Sequence, residues 1–369
     1  MPRSVADIRS NWLFSRRADV LLFGGSAVLA LTLLCLGAAT GLLNGDAPPW
    51  LFLVGIVGVD VAHVWSTGWR VLADGEDAKE RVALYAGVPL LAWTAGVAAY
   101  SVSALFFWRV LAYLAVFHFV RQQYGWVALY RRKNAESAEG ALGRRLDAAV
   151  IYGATLTPLL FWHAHLPRRF QWFLQGDFLA GLPPSAARAA FVLYAAVFAA
   201  WAAKEIARAS SGRPVSWGKV LVVLTTVATW FLGIVAFDSD YAFTVMNVFV
   251  HGIPYMGLVW FTSKARAASR RAAGRAAPAD RWLASLPLFL LPLLAVAFAE
   301  EWGWDRLVWH DNPRLFPGAA LDPGALALVL VVPLLALPQA THYVLDGFIW
   351  RLRPENRAAA RALGLPEPA

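Results

Sequence analysis

The sequence predicts an all-α, polytopic integral membrane bundle of about ten transmembrane helices, forming one transmembrane domain over residues 1–369 with both termini in the cytoplasm. Three observations carry that expectation. Hydrophobic residues make up 59% of the 369 and charged residues only 15%, against roughly 25% charge in a soluble domain. Mean hydropathy is +0.52, and apolar runs of about 20 residues, long enough to cross a ~30 Å hydrocarbon core, recur along the whole chain. Basic residues fall between alternate runs, as orientation by the positive-inside rule requires. The period-two alternation of barrel strands is missing, and helices satisfy their own backbone in lipid.

Taken in order, Arg3, Arg9, Arg16 and Arg17 precede the first run, roughly 18–43. That run holds Cys35, the single cysteine, so no intramolecular disulfide can form. Leu34 before it does not suit a lipidation site, and the run is too long, and lacks the small-residue site, for a cleaved signal peptide. The second run, 48–69, is followed by Arg70, Lys79 and Arg81. The third and fourth, 82–101 and 108–130, lead to Arg131, Arg132, Lys133, Arg144 and Arg145. The fifth and sixth, 147–163 and 187–203, lead to Lys204, Arg208, Arg213 and Lys219. The seventh and eighth, 217–236 and 241–262, lead to Lys264, Arg266, Arg270, Arg271, Arg275 and Arg281. The ninth and tenth, 283–299 and 323–350, lead to Arg351, Arg353, Arg357 and Arg361.

With the N-terminus inside, inner segments hold 26 of the 33 basic residues. Outer segments hold Arg168, Arg169, Arg306 and Arg314, with Arg188 at a helix start; Arg109 and Arg121 fall within the fourth run. The net charge of +9 therefore serves orientation. A nucleic-acid partner is not expected, because no aromatic–basic surface module is present. Two outer segments are rich in aromatics, Trp162 to Ser185 and Glu300 to Asp322, and suit an interfacial belt or a lid over a lipid-accessible pocket. The inner stretch Ser263–Arg281 suits a solvated linker or a helix touching anionic headgroups.

Four of seven histidines, His63, His118, His251 and His342, lie inside runs two, four, eight and ten, all predicted to cross in the same direction. They stand 7, 13, 13 and 9 residues before the first basic residue at the inner end, about 10–20 Å at ~1.5 Å per residue. One slab of the membrane thus contains all four. Each has polar neighbours one turn away: Asp60 for His63, Arg121 and Gln122 for His118, Asn247 and Tyr255 for His251, Asp346 for His342. A metal-bound imidazole gives its other N–H to such a group. An Asp at a helix centre costs roughly 2.5–3.5 kcal/mol, and intramembrane ionisable residues are usually functional. A divalent cation held by neutral histidines would offset the cost of Asp60 and Asp346. Tyr124, Tyr255 and Tyr343 suit packing first. Arg121 and Tyr255 are nonetheless the candidates for a catalytic role, Arg121 binding an anionic headgroup or pairing with Asp60 or Asp346.

Other motifs are absent. There is no HExxH, no clustered histidine box and no P-loop. Haem needs opposed histidine pairs, and a proton relay needs polar residues continuing to both surfaces; the outer halves of the spans are apolar in sequence. A transporter using the same His, Asp and Arg residues, or a structural protein with buried polar contacts, are the alternatives.

The segments Phe117-His118-Phe119, Asn247-Val248-Phe249-Val250-His251 through Val259-Trp260, and Leu335-Ala336-Leu337-Pro338 through His342, Asp346, Phe348-Ile349 and Arg351 resemble the Brp/Blh-type membrane β-carotene 15,15′-dioxygenases. The resemblance covers some 60 residues. It implies a polytopic helical protein that cleaves a carotenoid with O₂ at iron held by intramembrane histidines, with His118, His251 and His342 as ligands. The family's early helix histidine is followed by Asp, whereas Asp60 precedes His63 here. Tyr255 stands where the family has a second histidine, and Val120-Arg121-Gln122 where it has Gly and Asp.

The expected protein is therefore a membrane iron oxygenase. Fe(II), or another divalent metal, is held by His63, His118, His251 and His342, with Asp60, Gln122, Asn247 and Asp346 orienting the rings. Its partners are membrane lipids, O₂ and a lipophilic small molecule, carotenoid-like or lipid. Ala/Arg/Gly-rich usage points to a GC-rich bacterium and hence its inner (plasma) membrane.

Overall fold

The computed structural model describes residues 11–45, 47–72, 80–134, 140–351 and 357–365. Arg3, Arg9, Lys79 and Arg353, counted above for orientation, lie outside them. No strand occurs among the described residues. Nine helices among the described residues are long and apolar enough to cross a membrane: α1 (Arg16–Thr40), α2 (Pro49–Val71), α3 (Val82–Val102), α4 (Ala104–Lys133), α6 (Pro184–Ser210), α7 (Trp217–Ala236), α8 (Asp240–Ala272), α9 (Leu286–Trp309) and α10 (Gly324–Ile349). The remaining predicted span forms α5 (Gly140–Ala164), long enough but less apolar because Asp147, Tyr152, Thr155, Thr157 and His163 interrupt it.

Local chemistry sets the helix ends. The Ser15, Ser103, Ser239 and Ser285 hydroxyls accept first-turn N–H groups of α1, α4, α8 and α9. Gly41, at φ +79°, closes α1 in the left-handed region that glycine tolerates. Four helices outrun their predicted bounds by seven residues or more, α5 at its start, Gly140 in place of 147. α8 continues to Ala272, so the first half of Ser263–Arg281 is helix. α6 continues to Ser210, and α9 to Trp309.

Charge explains the last two extensions. Lys204 on α6, Lys219 on α7 and Arg131 on α4, expected in solvated inner segments, instead surround the buried Asp147 of α5. Lys219 also reaches Glu205, at 2.9 Å. A buried carboxylate needs such partners. In α9, Glu300 accepts from Trp65 Nε1 at 2.6 Å and Gln339 Nε2 at 3.2 Å, so it sits within the helix and not in an outer segment.

Packing ranks the helices. In α8, 94% of the most apolar 18-residue window is buried, against 0% in α3, so α8 is the hub and α3 faces outward. Small residues permit that enclosure, as between membrane helices generally. A Cβ on Gly252 would lie 2.7 Å from Val59 Cγ1 of α2, and one on Gly257 2.6 Å from Leu22 of α1. Widened, π-type turns at Phe52–Val61 and Thr244–Val248 immediately precede the histidine-bearing parts of α2 and α8. The aromatic segment after α5 packs onto protein as well as framing its surface: Phe170 stacks on Phe243 with centroids 3.9 Å apart, and Trp162 and Phe178 are buried.

Candidate metal centre

Four helices each contribute one imidazole to a single point. His63 (α2), His118 (α4), His251 (α8) and His342 (α10) are 1–3% exposed, and one ring nitrogen from each lies within 4.8 Å of all the others. His63 and His251 Nε2 are 3.2 Å apart, and His118 and His342 Nε2 3.0 Å. The rings form a cycle in the order 63, 251, 118, 342, with neighbouring planes inclined by 62–89°. A first-row metal with nitrogens at ~2.1 Å holds adjacent nitrogens about 3.0–3.4 Å apart and opposite ones about 4.2 Å. The 63–251 and 118–342 pairs match adjacent ligands, and no pair among the four is more than 4.8 Å apart.

Hydrogen bonding on the far side of the rings fixes which nitrogen carries a proton. His63 Nδ1 faces the Val59 carbonyl at 3.2 Å. A carbonyl only accepts, so Nδ1 is the N–H and Nε2 presents its lone pair. His342 Nδ1 lies 2.6 Å from Thr67 Oγ1, which lies 2.7 Å from the Tyr255 hydroxyl, which bonds Asp346. A carboxylate at the end of that chain accepts, so every hydroxyl donates toward it and His342 Nδ1 donates to Thr67. Its Nε2 lone pair therefore faces the centre too. Trp350 Nε1 adds a second donor to the Tyr255 oxygen, at 3.2 Å. Asp346 also faces Nδ1 of His118 at 3.8 Å and of His342 at 3.7 Å.

The predicted orienting residues divide. Asp60, 3.7 Å from His63 Nδ1, and Asp346, 3.7 Å from His342 Nδ1, lie beside the rings but beyond hydrogen-bond distance of them. Gln122 does not reach the His118 ring; its amide donates to the His251 carbonyl at 2.9 Å, tying α4 to α8. Asn247 does not reach the His251 ring either. Its Nδ2 donates to the Phe243 carbonyl at 3.4 Å and its side chain fills the space over Gly233. The His251 ring is held instead by Phe119, stacked at 3.6 Å and 6°. Arg121 pairs with neither Asp60 nor Asp346: it holds the Tyr152 hydroxyl and lies over the Tyr124 ring. Thr67 was absent from the predicted set, although it follows His63 by one helical turn.

Two cavities flank the centre. One, of about 440 Å³, is walled by aromatic and aliphatic side chains of α4, α8 and α10, reaches His118, Tyr255 and Asp346, and carries Arg121, Arg132 and Arg351. The other, of about 410 Å³, reaches Asp60 and Gln339 and is lined by Asp240, Glu301, Asp305 and Asp311 with no Lys or Arg. This polar path corrects the expectation that the spans are apolar beyond the histidines. Trp172 and Phe173 wall the acidic cavity, and Asp177 pins that stretch by accepting the Phe173 N–H at 2.7 Å. Burial pushes the Asp177 carboxyl above its ordinary range, despite that bond and others from backbone N–H groups.

No family model, curated protein or solved structure matches this chain.

Proposed function

We propose that this chain is a membrane-embedded, non-haem iron oxygenase that acts with O₂ on a lipophilic, carotenoid-like or lipid substrate, in the inner membrane of a bacterium with both termini cytoplasmic. The convergence of four buried Nε2 atoms, two with their lone pairs fixed inward, carries the reading. Four neutral imidazoles suit iron among the first-row metals and leave coordination positions free. Bound Fe(II) would supply the site at which O₂ is activated.

The chain's own residues do the rest. The 440 Å³ cavity receives the substrate beside His118, and its aromatic walls shed water from an apolar chain. The Tyr255 hydroxyl, locked by Thr67, Trp350 and Asp346, holds its proton toward Asp346 and keeps that carboxylate aimed at the His118 and His342 rings. Arg121 at the cavity wall offers a cation to a polar end of the substrate.

The test is elemental analysis of purified protein together with O₂ uptake on β-carotene and on unsaturated lipids. About one equivalent of iron and metal-dependent uptake are expected. Less than about a tenth of an equivalent with activity intact ends the reading.

Cavities on two sides of the histidines favour one other reading, a proton-relay transporter. The four rings, 1–3% exposed, stand between them. Metal-independent flux through liposomes containing the protein would select it.

A further inference from the structure

We infer that the acid-lined cavity is the route by which a hydrated divalent cation reaches the four histidines. The inference rests on the proposed metal site and adds how that site is filled.

Charge comes first. Five acidic side chains line the cavity and no basic residue does, so whatever charge its wall carries is negative. A concave, low-dielectric wall of one sign focuses the field and raises the local concentration of counter-ions. Glu301 makes the case specific. It is 8% exposed, lines the cavity, and has no hydrogen bond or cationic partner among the described residues. An unpaired buried acid is costly unless a ligand shares the site.

Position comes second. At its inner end the cavity reaches Asp60, whose carboxylate lies 3.7 Å from His63 Nδ1. At its outer end it shares Trp172, Phe173, Asp240, Trp309 and Asp311 with a surface hollow of about 900 Å³, whose far wall also carries Arg169. The carboxylates therefore run from the surface to the back of a metal-site imidazole.

Spacing comes third, and it separates a route from a trap. Among the described residues, the four imidazoles form the only group of three or more His, Cys, Asp or Glu whose ligand atoms converge to chelating distance. The acids do not. Hydrated cations are drawn by separated carboxylates but held by convergent ones, so this cavity concentrates the ion without retaining it. The nitrogen donors beyond then take it in preference to oxygen.

The experiment loads metal-free protein in nanodiscs with Co²⁺ by stopped flow, reading the visible absorption of nitrogen-bound cobalt. Wild type is compared with Glu301→Gln, Asp305→Asn, the surface variant Asp311→Asn, and Arg132→Gln at the other cavity. Expected are uptake slowed roughly 5- to 20-fold in the acidic variants at low salt, convergence of the rates near 0.5 M salt, an unchanged final one equivalent, and no slowing in Arg132→Gln. Wild-type rates in all three acidic variants, or acceleration in Arg132→Gln alone, overturn the route and leave the metal site standing. Absence of cobalt uptake by wild type overturns both. Asp311→Asn, exposed and remote from the core, keeps the test valid should a buried variant misfold.

Discussion

The two cavities beside the histidine centre have nearly equal volume and opposite chemistry. The one between α4, α8 and α10 is aromatic and aliphatic, with arginines on its wall. The one bounded by α2, α9 and the aromatic segments is lined by five acids. A lipophile gains by leaving water for the first and gains nothing in the second. A divalent cation is drawn into the second and repelled by the first. Under the proposed function, that contrast divides labour around one centre: the lipophile and the metal ion would reach it from different sides.

The most severe way to break this comparison is to remove what both cavities serve. His251→Ala should lower bound metal from about one equivalent to less than a tenth, measured by elemental analysis, with the helical circular dichroism retained. The next separates the cavities. Gly125 lines the apolar one, and a Cβ there meets nothing within 4 Å. Gly125→Phe should fill the space and cut turnover at least tenfold while leaving metal content and Co²⁺ loading unchanged. If loading slowed instead, the assignment of substrate to that side would fail. Smaller again is Thr67→Val, which removes the hydroxyl joining His342 to Tyr255. Loss of such an outer partner typically weakens metal binding 10–100-fold, and competition with a chelator of known affinity measures it. Thr67→Ser should restore most of the binding.

The smallest effect is on the wall of the acidic cavity. Because burial raises the Asp177 carboxyl in the folded state, ionisation there opposes folding. The packed segment should be most stable below the carboxyl's ordinary range and should weaken as pH rises through the elevated value. Asp177→Asn should abolish that slope in a pH series of Trp172 fluorescence quenching. A slope that persists would show that another group holds the wall.

Much of this was legible in the residues. Apolar runs and the placement of arginines predicted ten helices, and depth in the membrane put four histidines in one slab. The ring partners were only half legible. Spacing of three or four residues along a helix fixes a shared face, but the direction of a ring nitrogen is set by whichever other helix lies against it. Asn247 and Gln122 have the right spacing, yet Gly233 draws the first toward α7 and the His251 carbonyl holds the second. Thr67 had the same signal, four residues after His63, but a threonine in an apolar helix carries no alarm because it commonly bonds its own backbone. The acidic cavity was hidden for another reason. Glu300 and Glu301 follow an apolar run and suggest its end, whereas Trp65 and Gln339, from distant parts of the chain, give Glu300 partners inside the bundle.

The order of the four rings along the chain has a further consequence. His63 and His118 emerge early from the ribosome, His251 much later, and His342 on the last of the long helices. Until residue 342 has been made and α10 has docked, no nascent intermediate can offer all four nitrogens. Capture of a divalent ion by the full set of four nitrogens would therefore have to wait for α10, however early the other three helices insert.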